Sequence, residues 1–178
     1  MARILTAAAA QLGPIQKAEP RRVAVERMIR LLERAHTRGA ELVVFPELTL
    51  TTFFPRHYHE DRREADHWFE TAMPSNETAP LFEAAKRYGI GFHLGYAELT
   101  PEGRHYNTAI LVSPQGEILL KYRKVHLPGH AEFDPARKVQ HLEKRYFDVG
   151  DLGFPVIAAP IGGLEAVNMG LMICNDRR

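Results

Sequence analysis

Residues 21–48 read RRVAVERMIRLLERAHTRGAELVVFPEL, and this stretch decides the fold. Val25, Met28, Ile29, Leu32 and Ala35 recur at the three- and four-residue spacing that gives a helix one apolar face. Gly39 stands just beyond the last of them, where helices commonly stop. Five residues, ELVVF, then form a compact apolar run that Pro46 interrupts. Upstream, MARILTAAAAQLGPI carries an apolar run too short and alanine-rich for a signal sequence, and 3–11 is read as a first buried strand. Strand, helix and strand in this order make a β-α-β unit with a parallel pair, and hence an α/β protein.

Working outward, a loop-rich section follows, with a short helix expected near Glu64–Met73. APLFEAAKRYG is a second helix, with Pro80 in its first turn and Gly89 at its end. IGFHLGYAEL, HYNTAILVS and ILLKYRK read as three strands joined by the turns TPEG and PQGE, which makes the sheet mixed, with both helices on one face. Residues 124–154 are rich in His, Pro and Gly without a period, and a loop this long inside a domain is usually functional. FPVIAAP and EAVNMGLMIC close the chain as a hairpin-like pair, the second strand running into Cys174.

The composition is that of an ordinary globular domain of 178 residues, 45% hydrophobic and 25% charged. A net charge of +1 gives no broad basic surface for nucleic acid. No run reaches the roughly 18 apolar residues of a membrane helix. The single cysteine has no internal disulfide partner, and a reducing, cytoplasmic setting is the simpler expectation.

Three ionisable residues follow apolar runs: Glu47 after VVFP, Lys124 after ILLKYR and Cys174 after GLMI. If the three strands are neighbours pointing the same way, the side chains converge on the sheet edge where open α/β sheets bind ligands. A lysine ammonium would favour the thiolate, a carboxylate could take and return its proton, and the ammonium with the Asn175 N–H could hold an oxyanion. Each residue also has a plain structural reading. A lone cysteine is often a small buried hydrophobe, a glutamate after a strand a solvated cap, and KYRK a charged sheet edge.

VVFPEL, KYRKVHLPG and MICNDRR resemble, in order and context, the signature blocks of the nitrilase superfamily, the carbon–nitrogen hydrolases. The resemblance implies an α-β-β-α four-layer sandwich with Glu47 as base, Lys124 as its partner and Cys174 as nucleophile. Within that family ELTLTTFFPR, GIGFHLGYAEL, HLPGH and QHLEKRYFDVGDLGFPV are most similar to N-carbamoyl-D-amino-acid hydrolases. That branch implies a substrate carboxylate held by Arg177 and Arg178, with Asn175, His126 and His141 lining the pocket and Glu143 beside Lys124. It also implies no cofactor and an association into homodimers or homotetramers.

His126, His130 and His141 fit no standard zinc spacing, so no metal is expected, although a metal-dependent hydrolase remains a competing class. Members of the family continue well past the nucleophile. Residues 1–178 therefore read as the N-terminal part of one such domain, a C-terminally truncated sandwich. The expectation is a chain that folds poorly or is inactive alone, with a non-catalytic binding or assembly role as the other alternative.

Overall fold

The computed structural model describes residues 4–163 and 166–177. The β-α-β unit is present. Strand β1 (Ala7–Ala9) pairs in parallel with β2 (Leu42–Val44), and helix α1 (Arg21–His36) connects them. β1 is shorter than the 3–11 expected because only its centre follows β2 in register, Ala7 opposite Leu42 to Ala9 opposite Val44. α1 ends before Gly39, whose φ of 75° suits a residue without Cβ. Helix α2 (Ala79–Tyr88) ends at Gly89 in the left-handed conformation.

Strands β3 (Gly91–Leu99), β4 (His105–Val112) and β5 (Ile118–Arg123) complete a five-stranded sheet of order β1-β2-β3-β4-β5. The first three strands are parallel, and β4 runs against both its neighbours. β5 therefore points the same way as β2, and the two strands end on one edge of the sheet. They are not adjacent: β3 and β4 lie between them.

Side-chain alternation divides the core. Val43, Phe92, Leu94, Tyr96, Ile110 and Val112 pack beneath α1 and α2 with Val25, Met28 and Leu32. Each large side chain buried there contributes about 1.5–3 kcal/mol. Leu42, Ala109, Leu111, Leu120 and Tyr122 face the other way, onto Ala159, Ile161, Leu171 and Ile173. That second face is covered by a separate hairpin, β6 (Val156–Ala159) with β7 (Val167–Gly170). Helices, main sheet and hairpin form α, β and β layers of the sandwich.

Two expectations change. The last strand does not run into Cys174. It stops at Gly170, belongs to its own two-stranded sheet, and the chain then turns so that Cys174–Arg177 form a 3-10 helix. Its apolar pattern continues past Gly170 because Leu171 and Ile173 are buried as turn residues, not because the strand continues. The segment expected as a helix near 64–73 is a 3-10 helix over Arg62–Trp68.

The long loop is pinned at several points. It contains a one-turn helix α3 (Glu143–Tyr146) set in an aromatic cluster at the sheet end, with Phe54, Trp68, Phe69 and Phe147 around Tyr146. The Tyr146 hydroxyl donates to the His57 carbonyl at 2.6 Å and accepts from the His59 N–H at 3.0 Å. The Leu142 N–H donates to the Pro55 carbonyl at 2.8 Å.

Candidate active site

Glu47 is set by the way the chain leaves β2. The Phe45 N–H donates to His93 O and the Thr49 N–H to Gly95 O, which lays residues 45–49 across β3. A Cβ on Gly95 would come within 3.0 Å of Glu47 Cα and of Pro46 O, so only glycine lets the backbones meet this closely. Leu48, at φ 49°, turns the chain away. The Glu47 carboxylate accepts from Asn107 Nδ2 at 2.7 Å. Asn107 also fixes the residue after β5, its carbonyl accepting from the Lys124 N–H at 2.8 Å.

Lys124 is sealed from solvent. Its ammonium lies 2.6 Å from Glu47 Oε1 and 2.7 Å from Glu143 Oε2. Burial pulls such a group down, but the two carboxylates outweigh it and the Lys124 pKa is raised, so the ammonium stays charged. Glu143 is held on its other oxygen by His141 Nε2 at 3.0 Å.

Cys174 opens the 3-10 turn with φ 47°, an uncommon conformation for a side chain with Cβ and one that often marks a functional position. Cys174 is exposed, and its thiol lies within the electrostatic reach of Glu47, Lys124 and Glu143. Desolvation raises the thiol pKa, Glu47 raises it further, and Lys124 offsets only part of the shift. The lysine favours the thiolate, as expected, but does not outweigh the other contributions. Two carboxylates surround one ammonium, so the balance of charge favours the thiol over the thiolate.

The turn itself hangs on Asp176, which is buried. One carboxylate oxygen accepts from the His126 N–H at 2.8 Å and pairs with His126 Nδ1 at 3.0 Å; the other accepts from the Ile173 N–H at 3.1 Å. Burial would raise its pKa, but these donors and the Tyr122 hydroxyl hold it below the ordinary value. Asn175 Nδ2 donates to the His126 carbonyl at 3.1 Å.

Glu47, Lys124, Cys174 and Glu143 are thus brought together, and His141 backs Glu143. His126 and Asn175 support the Cys174 turn, and Arg177 is exposed at its end. Arg178 lies outside the described residues. The three loop histidines do not share a centre: His126 pairs with Asp176, His130 with Gln140, and His141 with Glu143. Sequence reading missed Asn107, Asp176 and Gly95. A signal existed for Asn107, since an asparagine inside the apolar strand HYNTAILVS must find a partner.

A carboxylate and a fixed ammonium in contact, with a thiol close enough to feel both charges, can add sulfur to a carbonyl carbon, stabilise the resulting oxyanion and move the proton. Residues 6–178 match the sequence pattern described as carbon-nitrogen hydrolase. A nitrilase from Pyrococcus abyssi is 34% identical over 148 residues, covering 83% of this chain and 47% of the relative. An omega-amidase from Xenopus tropicalis is 27% identical, covering 86% and 50%. A formamidase from Bacillus thuringiensis is 33% identical, covering 78% and 35%.

Among solved structures, a carbon-nitrogen hydrolase from Helicobacter pylori superposes with TM-score 0.66 at 26% identity, covering 84% of this chain and 46% of that one. An amidase from Nesterenkonia sp. gives 0.68 at 22% identity, covering 96% and 56%, a likeness of fold alone. The chain spans about half, or less, of each of these relatives. The family pattern matches nearly the whole chain, and its fold is the one the strand order and layers build here: the chain belongs to the carbon-nitrogen hydrolase family.

Proposed function

We propose that the protein hydrolyses a carbon–nitrogen bond through a covalent thiol intermediate. The observation that carries this reading is the convergence of Lys124, Glu47 and the Cys174 thiol. Glu47 takes the thiol proton as sulfur bonds to the carbonyl carbon. Lys124 and the Asn175 N–H hold the oxyanion. Collapse of the tetrahedral adduct expels the nitrogen, protonated by Glu47, and leaves an acyl group on Cys174. Water, losing its proton to Glu47, then releases the acid.

The substrate class proposed is N-carbamoyl-D-amino acids, cleaved to the amino acid, ammonia and carbon dioxide. Its support is the likeness of ELTLTTFFPR, HLPGH and QHLEKRYFDVGDLGFPV to that branch, with Arg177 and Arg178 offered to the carboxylate. His126, His141 and Asn175 would line the same pocket, with Glu143 behind Lys124. No cofactor takes part in this scheme, the setting is cytoplasmic, and the assembly is a homodimer or homotetramer. The relatives named above carry nitrilase, omega-amidase and formamidase activities in their names, so a different amide or nitrile is the alternative within the class.

A substrate panel tests the reading: N-carbamoyl-D-phenylalanine, its L-enantiomer, 3-ureidopropionate, formamide and a simple nitrile. Turnover of the first alone supports the carbamoyl assignment, and turnover of formamide or the nitrile in its place moves the substrate class. Retention of any turnover by Cys174→Ala ends the thiol mechanism.

A further inference from the structure

Asn107 is fully buried on β4. Its cross-strand partner on β3 is Ala97, and Ala109 stands two residues along, so its neighbours on that face of the sheet are small and apolar. An amide in such a place must find its hydrogen-bond partners close by. The two ends of this one fare differently. Nδ2 donates to Glu47 Oε1 at 2.7 Å. Oδ1 is buried and has no hydrogen-bond partner among the described residues. Turning the amide over would not mend this, because Oδ1 would then face Oε1, acceptor against acceptor. The charge on Glu47 therefore sets the orientation, and the sheet carries an unpaired acceptor as the consequence.

Both donors to Glu47 reach the same oxygen. Lys124 Nζ lies 2.6 Å from Oε1, the atom that Asn107 also meets, and no N–H or O–H of a described residue donates to Oε2. The lysine side chain is sealed from solvent, whereas the Glu47 side chain keeps 21% of its surface open.

We infer that Asn107 is a positioning residue that gives the two oxygens of Glu47 different tasks. With Lys124 it occupies Oε1 and fixes the plane of the carboxylate, which leaves Oε2 to exchange the proton. The thiol proton passes from the Cys174 sulfur to Oε2 as sulfur bonds to carbon, and from Oε2 to the departing nitrogen as the carbon–nitrogen bond breaks. This rests on the proposed thiol hydrolysis for the identity of the reacting groups. The need for a second donor is geometric. An ammonium is a point charge that either oxygen can meet, so pairing with Lys124 alone leaves the carboxylate free to turn about its last bond. A donor held by a rigid strand and aimed at the same oxygen removes that freedom. Being neutral, it fixes the anion without the loss of basicity that a second cation would bring.

Alkylation of Cys174 by iodoacetamide at mildly alkaline pH tests this without turnover, in a double-mutant cycle that combines Asn107→Leu with Glu47→Gln. Leucine keeps the volume and loses the donor. With Glu47 in place, loss of the amide leaves the field of the carboxylate on the thiol less offset, and alkylation slows by about threefold, near the low end of what one hydrogen bond is worth. With Glu47→Gln already made, Asn107→Leu has no further effect. Should leucine prevent folding, Asn107→Ser, whose side chain stops one atom short of Nδ2, carries the same measurement. An equal slowing in both backgrounds would mark a purely structural role, and no slowing at all would remove Asn107 from the site; either result overturns the inference.

Turnover separates this inference from the reading it rests on. In Asn107→Leu kcat falls by up to about a hundredfold, the effect of a small misplacement of a reacting group, while KM stays within about twofold. Coupling in the alkylation cycle without turnover of any amide, nitrile or carbamoyl compound keeps Asn107 as the residue that orients Glu47 and discards hydrolysis. Turnover with an unchanged kcat in Asn107→Leu keeps hydrolysis and discards the role of Asn107.

Discussion

Lys124 and Glu143 meet at 2.7 Å with side chains 0% and 2% exposed, a buried ion pair that also backs the contact between Lys124 and Glu47. Removing one member leaves an uncompensated buried charge. Glu143→Ala is expected to destabilise the fold by about 3 kcal/mol, the lower end of the usual cost, because Glu47 still pairs with the ammonium. Glu143→Gln, which keeps an acceptor, should cost less. Urea unfolding of the two variants measures the difference. The pair also sets an alkaline limit. The Lys124 pKa is raised above its ordinary 10.5, so its contribution is fully present below that value and is lost as pH rises through the higher folded value.

The Cys174 thiol is held above its ordinary pKa of 9.0 by burial and by Glu47. Near neutral pH it should react with iodoacetamide more slowly than a free thiol. Glu47→Gln removes both the charge and the acceptor, so the thiol pKa should fall and alkylation accelerate. Hydrolysis should be abolished by the same change, since the base is gone. Slower alkylation in Glu47→Gln would contradict the influence of the Glu47 charge on the thiol.

Asp176 ties the Cys174 turn to His126. In Asp176→Ala the Ile173 and His126 N–H groups lose their acceptor at a local cost of about 1–3 kcal/mol. Amide exchange at Ile173 and His126 should speed up, while exchange in the β3–β4 pair stays as it was. Since the Asp176 pKa is lowered from 3.8, its share of stability is present above that value and lost as pH falls through the lower folded one.

Gly95→Ala introduces a methyl group 3.0 Å from Glu47 Cα and Pro46 O, both of them backbone atoms that cannot swing aside. Overpacking of this kind costs about 1–3 kcal/mol. The displaced segment carries Glu47, so turnover should drop further than the loss of stability accounts for. Parallel thermal unfolding and kinetic measurements check this. Equal activity in the variant would show that the approach of β3 does not position the base.

Much of this protein is legible along the chain. The apolar face of 25–35, the glycines at 39 and 89 and the runs at 42–45 and 118–123 specify elements through local sterics and periodic burial, and both helices and the mixed sheet appear where those signals stand. The three blocks containing Glu47, Lys124 and Cys174 are also visible, because residue type and immediate context carry them. Their meeting is not visible. Glu47 and Lys124 touch across the two strands that separate β2 from β5, through a segment that crosses over Gly95. Cys174 reaches them from a turn beyond a second sheet and not from a strand end. Asn107 and Asp176, which hold the pieces in place, were invisible as partners, and the state of the thiol depended on counting charges in space. Periodicity reports which side of an element is dry. Which dry faces stack, and which charges then share one small volume, is settled only when the layers close.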